Sequence, residues 1–287
     1  MPSLPITNFS KLLKSLPSTL ALWPACYTLG IYLLARLALA LPTSDWQTIS
    51  LILLIAHACY LFDRAKLSDS RQDPADAIGL PQRSLFFTRF ARSIRVLIAL
   101  ELLTACVLAY AIAPLLSLVP IGALVGVHLY AGRAATPTKP RIKDIPGLKA
   151  FLIAGAHIAL LVAVLRGNGQ LDTQQLSIST VLLFIGLCLI VSSDATLCDL
   201  DDRRSDALYS TRSVPVLIGE TPAWIFAQLL LIIGATLLIT TSTETLTLLR
   251  IMLVLICTGL PTAWIKNRRD LIDARLLPVV LIALILA

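Results

Sequence analysis

Leu176-Ser-Ile-Ser-Thr-Val-Leu-Leu-Phe-Ile-Gly-Leu-Cys-Leu-Ile-Val191 carries no charge, and it leads into Asp199-Leu-Asp-Asp202-Arg-Arg-Ser-Asp206. An apolar helix that opens onto a carboxylate cluster is the unit from which the rest of the chain can be read. On a helix turning about 100° per residue, Asp199, Asp202 and Asp206 fall within about 60° of one another, while Asp201 points elsewhere. Three carboxylates on one face repel unless a cation lies among them. A hard divalent cation such as Mg²⁺ suits them, because it takes carboxylate oxygens and shares its remaining positions with water and phosphate. The same run also suits a solvated acidic helix end.

The apolar half of that unit recurs along the chain. Apolar residues make up 57% of the sequence and charged residues 14%, whereas ordinary soluble domains are roughly 45–50% apolar. A membrane span needs roughly 20 predominantly apolar residues. Nine candidates run near 19–41, 46–62, 93–111, 114–130, 148–165, 176–193, 223–240, 248–265 and 270–287, the second and the last being the weakest. The expected fold class is therefore all-α, a multi-pass membrane helix bundle with nine transmembrane helices, forming a single domain over residues 1–287. The first run follows Lys11 and Lys14, as a secretory signal would. Its apolar stretch is longer than a signal's and no small-x-small cleavage site stands out, so it is expected to stay as the first span.

The formal net charge of +7 could suggest nucleic acid, but its distribution points to a lipid bilayer instead. With the N-terminus inside, nine spans place almost every Lys and Arg on one side, from Lys11 through Arg64, Arg83, Arg141, Arg203 and Arg269. The other side keeps Arg166 and Arg250, with Arg36 inside the first span. This is the positive-inside pattern. It places the N-terminus and both acidic loops in the cytosol, the C-terminus outside, and implies no nucleic-acid partner. Cys26, Cys59, Cys106, Cys188, Cys198 and Cys257 form no C-x-x-C pair and read as small apolar residues. His57, His128 and His157 sit in spans without a second ligand at metal spacing, and are expected to join helices.

Two inner loops are acidic as well as basic. One begins Asp63-Arg64-Ala-Lys-Leu-Ser-Asp69 and continues through Asp73-Pro74-Ala-Asp76; the other runs from Asp194 to Gly219. Each follows an even-numbered span, so two acidic faces can oppose each other across a bundle. Asp73-Pro74-Ala-Asp76 reads as an N-cap, a proline at the first helical position and an acid in the first turn. That makes Asp73 and Asp76 structural.

With these motifs the chain resembles the UbiA superfamily of membrane prenyltransferases. Asp199-Leu-Asp-Asp202-Arg-Arg-Ser-Asp206 is similar to that family's D-x-x-D-x-x-x-D, and Thr211-Arg-Ser213-Val-Pro215-Val-Leu-Ile-Gly219 to the stretch that follows it. In the first motif, N-x-x-x-D-x-x-x-D, Asp63-Arg64 matches the centre, but Cys59 stands at the Asn position and Leu67 at the final Asp. The resemblance implies nine helices around a central cavity, with Mg²⁺ and a prenyl diphosphate held between two Asp-rich motifs. It assigns Asp63, Asp199, Asp202 and Asp206 as catalytic metal ligands. It assigns Arg64, Tyr130, Lys139 and Arg141 to the diphosphate; the last two belong to the basic cluster Lys139-Pro-Arg141-Ile-Lys143 after the fourth span. Positive charge there would compensate a leaving diphosphate. The same charges also suit positive-inside anchoring, as for Arg133 and Lys149.

The expected activity is transfer of a prenyl group from a prenyl diphosphate to a hydrophobic acceptor, whether an aromatic ring, a quinone precursor or a lipid alcohol. The incomplete first motif leaves open a degenerate member that binds a prenyl lipid without turnover. A transporter is the other class, disfavoured because the acids lie at helix ends and only Glu101 lies deep within a span. A CDP-alcohol-type phosphotransferase would need a Gly and an Ala-Arg pair that Asp202–Asp206 lacks.

Overall fold

The computed structural model describes residues 18–42, 45–68, 81–131, 141–171, 177–208, 211–242, 245–265 and 268–286. Every element among them is helical. In chain order these are α1 (Leu22–Ala38), α2 (Trp46–Ala65), α3 (Pro81–Arg89), α4 (Ala91–Ile112), α5 (Leu118–Ala131), α6 (Lys149–Gly167), α7 (Ile178–Leu208), α8 (Val214–Ile218), α9 (Glu220–Thr241), α10 (Thr245–Gly259) and α11 (Arg268–Leu286). Short 3-10 turns occupy Pro114–Ser117, Ile142–Asp144 and Leu260–Ala263.

Each expected apolar run coincides with a helix, and α3 and α8 lie in the polar connections. Six helices are long and apolar enough to cross a membrane: α2, α4, α6, α7, α9, and α10 with the turn that follows it. α1 and Pro114–Tyr130 are apolar but shorter. α11 carries Arg268, Arg269, Asp270, Asp273 and Arg275 in its first turns. Leu103, Val107, Leu115, Ile178, Leu229 and Leu253 are exposed on the outside of the bundle. Such a surface suits acyl chains and would aggregate in water.

The long helices pack on one another in chain order, and α11 returns to α1, so the bundle closes. The most extensive interface joins α7 and α9. It depends on two glycines: a Cβ at Gly234 would lie 2.6 Å from the Gly186 carbonyl oxygen, and one at Gly186 would lie 2.9 Å from that of Gly234. Small residues let membrane helices approach this closely. Polar ties add to the apolar contacts. His157 Nε2 lies 3.2 Å from Thr28 Oγ1 on α1. His57 lies 2.8 Å from Glu101 on α4 through Nδ1, and its Nε2 donates to the Leu20 carbonyl at 2.8 Å. Both histidines thus join helices as expected.

α7 is the element that builds the site. Its 31 residues extend about 46 Å at about 1.5 Å each, well beyond a hydrocarbon core of about 30 Å. Charge does not end a helix, and no glycine or proline follows Gly186 before Pro215. The acidic segment is therefore a rigid continuation of an apolar helix.

Candidate active site

Asp199, Asp202 and Asp206 share one face of α7, and Lys149, the first residue of α6, points into it. Its Nζ lies 2.7 Å from Asp199 Oδ1, 2.9 Å from Asp206 Oδ2 and 3.9 Å from Asp202 Oδ2. Asp202 is also ion-paired with Arg269 of α11. Three carboxylates thus meet two cations, which leaves the face formally negative by one charge. Asp201 points off this face. It accepts from Arg268 Nε at 3.0 Å and from the Arg269 backbone N–H at 3.1 Å, so it caps the start of α11.

The cation among the three acids is therefore Lys149, a residue whose sequence context suits both compensation of a diphosphate and positive-inside anchoring. One local signal was available. A lysine at a helix N-terminus opposes the helix dipole, so a partner outside its own helix is needed to hold it there.

The first motif is arranged differently. Asp63, on the last turn of α2, takes Lys66 Nζ on Oδ1 at 2.7 Å. Lys66 is buried, with φ at 53°. Arg95 Nε donates to its carbonyl at 3.0 Å and fixes the end of the helix. Arg64 turns back to the segment just before α1, where its Nη1 donates to the carbonyls of Ser18 and Thr19, the latter at 2.6 Å. It also lies within electrostatic range of Arg83, Arg269, Asp63 and Asp273. Asp69, Asp73 and Asp76 lie outside the described residues.

The basic segment before α6 holds a lock. Arg141 donates to Asp144 through Nε at 3.0 Å and Nη2 at 3.1 Å, and to Thr211 Oγ1 at 3.2 Å. Thr211 in turn donates to Asp144 Oδ1 at 2.6 Å. Burial works to raise the Asp144 pKa, but the hydrogen bonds from Arg141 and Thr211 outweigh it and hold the carboxyl below its usual range. This triad ties the turn before α6 to the segment after α7. Arg141 is thus engaged with Asp144 and Thr211; Lys139 lies outside the described residues.

Two residues connect the motifs. Tyr130, at the end of α5, is within electrostatic range of Lys149, Asp199, Asp63 and Asp206 together. Lys143 is in range of Asp63, Arg141, Lys66 and Lys149, and burial pushes its pKa below that of an ordinary lysine. Lys143 belongs to the basic cluster visible in the sequence, yet no spacing rule distinguishes it from Lys139. Asp273 of α11 is in range of Arg269 and Arg64. Below the site, Asp194 is ion-paired with Arg275 of α11 and accepts from Tyr27 Oη of α1 at 2.8 Å.

The acidic face can be tested against the Mg²⁺ implied by the motif. Among the described residues, no group of three His, Cys, Asp or Glu side chains is closed on a metal-sized point. The focus of the carboxylates holds the Lys149 ammonium instead. In chemistry the donor set fits a hard cation: it is all carboxylate, and buried Asp199 Oδ2 has no hydrogen-bond partner.

No family model matches this chain, and no curated protein matches its sequence. Solved structures do match its backbone. A UbiA homolog from Aeropyrum pernix K1 superposes with a TM-score of 0.66 at 16% identity, covering 91% of this chain and 97% of that one. A UbiA homolog from Archaeoglobus fulgidus bound to DMAPP and Mg²⁺ superposes at 0.61 and 14% identity, covering 96% and 100%. A structure concerning digeranylgeranylglyceryl phosphate synthase superposes at 0.54 and 14%, covering 96% of each chain. The chain has the fold of the UbiA homologues.

Proposed function

We propose that this chain, folded as UbiA homologues are, is a membrane prenyltransferase that takes a prenyl diphosphate and passes its prenyl group to a hydrophobic acceptor. The observation that carries the proposal is the convergence of Asp199, Asp202 and Asp206 on one buried cation, with Asp63 in the same electrostatic neighbourhood. A structural neighbour is solved with DMAPP and Mg²⁺, which supports the same ligand class here. Nine spans with cytosolic acidic loops are part of the proposal, supported by the basic-residue asymmetry.

In this role Asp63, Asp199, Asp202 and Asp206 would hold Mg²⁺, which when bound stabilises charge on a departing diphosphate. Lys66, Lys143 and Lys149 add positive charge on the same side, joined by Arg64, Lys139 and Arg141 as the resemblance implies. Tyr130, within electrostatic range of Asp63, Asp199 and Asp206, would orient the diphosphate. The buried apolar residues of α1, α2 and α7 give the bundle an apolar interior that would shield the allylic cation until the acceptor attacks.

The test is purified protein in nanodiscs with labelled prenyl diphosphates of several chain lengths, with and without Mg²⁺, and a lipid or aromatic acceptor extract. Mg²⁺-dependent label in the acceptor is the expected result. Retained prenyl lipid without transfer, at every chain length, would favour the second reading, a binding protein without turnover. The pairing of Asp63 with Lys66, in place of a second carboxylate, is the observation that supports that alternative.

A further inference from the structure

Lys149 sits where a bound cation would sit. It is 8% exposed and makes two short ionic contacts, to Asp199 and Asp206, with Asp202 just beyond. No metal held by these three carboxylates could share that point with an ammonium, because the two positive charges would repel at contact distance in a poorly solvated site. The ammonium also leaves the face incompletely used. Asp199 is 2% exposed, and its Oδ2 accepts no hydrogen bond. A buried, unpartnered carboxylate oxygen is costly to maintain and marks the face as built for more positive charge than one lysine brings.

We propose that the second acidic motif is a cation-exchange site in which Lys149 is the resident ion. In the resting protein Lys149 offsets part of the negative charge of the face and competes with divalent metal. When diphosphate and metal arrive together, Lys149 gives up the carboxylates and its ammonium stays tethered beside them, now facing phosphate oxygens. Metal loading alone is therefore weak, and loading with diphosphate is strong, because only the anion gives the displaced ammonium a new partner. The short tether supports this: Lys149 is fixed at the first turn of α6, with Tyr130 and Lys143 within electrostatic range of it. The inference rests on the diphosphate reading of the site, but its test does not need turnover.

The experiment is Mn²⁺ binding to the full chain in detergent, read by electron paramagnetic resonance, with inorganic diphosphate as the anion probe. In its absence, Lys149→Gln should bind Mn²⁺ at least about tenfold more tightly than wild type, the scale on which neighbours of metal ligands shift affinity. Added inorganic diphosphate should tighten Mn²⁺ binding more in wild type than in Lys149→Gln. Asp202→Asn in the Lys149→Gln background should abolish the gain, which locates the ion. Lys149→Arg supplies an independent arm should the glutamine variant fail to fold. A bidentate guanidinium holds carboxylates more firmly, so Mn²⁺ should bind Lys149→Arg no more tightly than wild type. Equal or weaker Mn²⁺ binding in Lys149→Gln, or tighter binding in Lys149→Arg, overturns the proposal. Tighter binding in Lys149→Gln from a protein that shows no prenyl transfer would overturn only the catalytic reading.

Discussion

Asp201 and Asp202 are adjacent in sequence and serve different helices. Asp202 faces Lys149 and pairs with Arg269, whereas Asp201 holds Arg268 and the backbone of α11. Asp202→Asn should lower prenyl transfer by about 10²-fold or more, as expected for a charged group at a site of developing charge. Asp201→Asn should leave the rate near wild type and lower stability by about 1 kcal/mol, since asparagine still caps but the ion pair is weakened. Initial rates against Mg²⁺ concentration, with melting temperatures on the same samples, separate the two; equal losses of rate would contradict the division of faces. Asp144 gives a pH signature. Its folded pKa lies below the usual 3.8, so its stabilising contribution is full above that value and disappears as pH falls through the folded pKa. Thermal unfolding of wild type should lose stability over that acid range, and Asp144→Asn should lose less. The spacing of Asp199, Asp202 and Asp206 made their common face legible, because helical phase is contained in one segment. Lys149 was not legible as their partner, because it arrives from another helix. The bond of Arg141 to Asp144, three residues on, was not legible either, since one sequence does not say which anions a guanidinium meets.

At the scale of elements, the apolar runs predicted where helices occur better than where they end. The sixth apolar run ends near 193, yet α7 continues through the acidic motif to Leu208. Asp194 is buried and paired with Arg275, so it makes an internal contact. The second and last runs, the weakest by composition, both form helices, α2 and α11. Packing between elements was not legible at all, since close approach depends on which glycine meets which. Gly234→Ala would place a methyl 2.6 Å from the Gly186 carbonyl oxygen and should cost about 1–3 kcal/mol, the usual price of overpacking. Gly122→Ala on α5 meets nothing within 4 Å, and should be neutral or slightly stabilising through helix propensity. Thermal melts of both variants in one detergent check the contrast; a Gly234→Ala protein as stable as wild type would show that α7 and α9 can separate freely.

Across the whole molecule, alternation of apolar and basic segments made an all-helical membrane bundle legible, and the structural neighbours share that fold. Closure of the bundle by α11 against α1 was not, because contacts between distant segments leave no local periodicity. The Asp194 cluster is what the closure secures: Tyr27 of α1, Asp194 of α7 and Arg275 of α11 meet in one buried group. Arg275→Met should destabilise by about 3–5 kcal/mol, because Asp194 is left buried without its cation. Adding Asp194→Leu should recover much of that loss, as read from melting and from the monodisperse fraction in detergent. If the double variant were as unstable as the single, the pair would have to act through packing and not charge. The same cluster sets an order of events during synthesis. Arg275 follows Asp194 by 81 residues, and at about 5–20 residues per second a ribosome needs roughly 4 to 16 s to deliver it. For that interval α7 stands in the nascent protein with an acid whose partner does not yet exist. An insertase or chaperone that shelters polar groups has a defined window in which to act, and a chain stalled before Arg275 exposes a lone carboxylate by which quality control can recognise it.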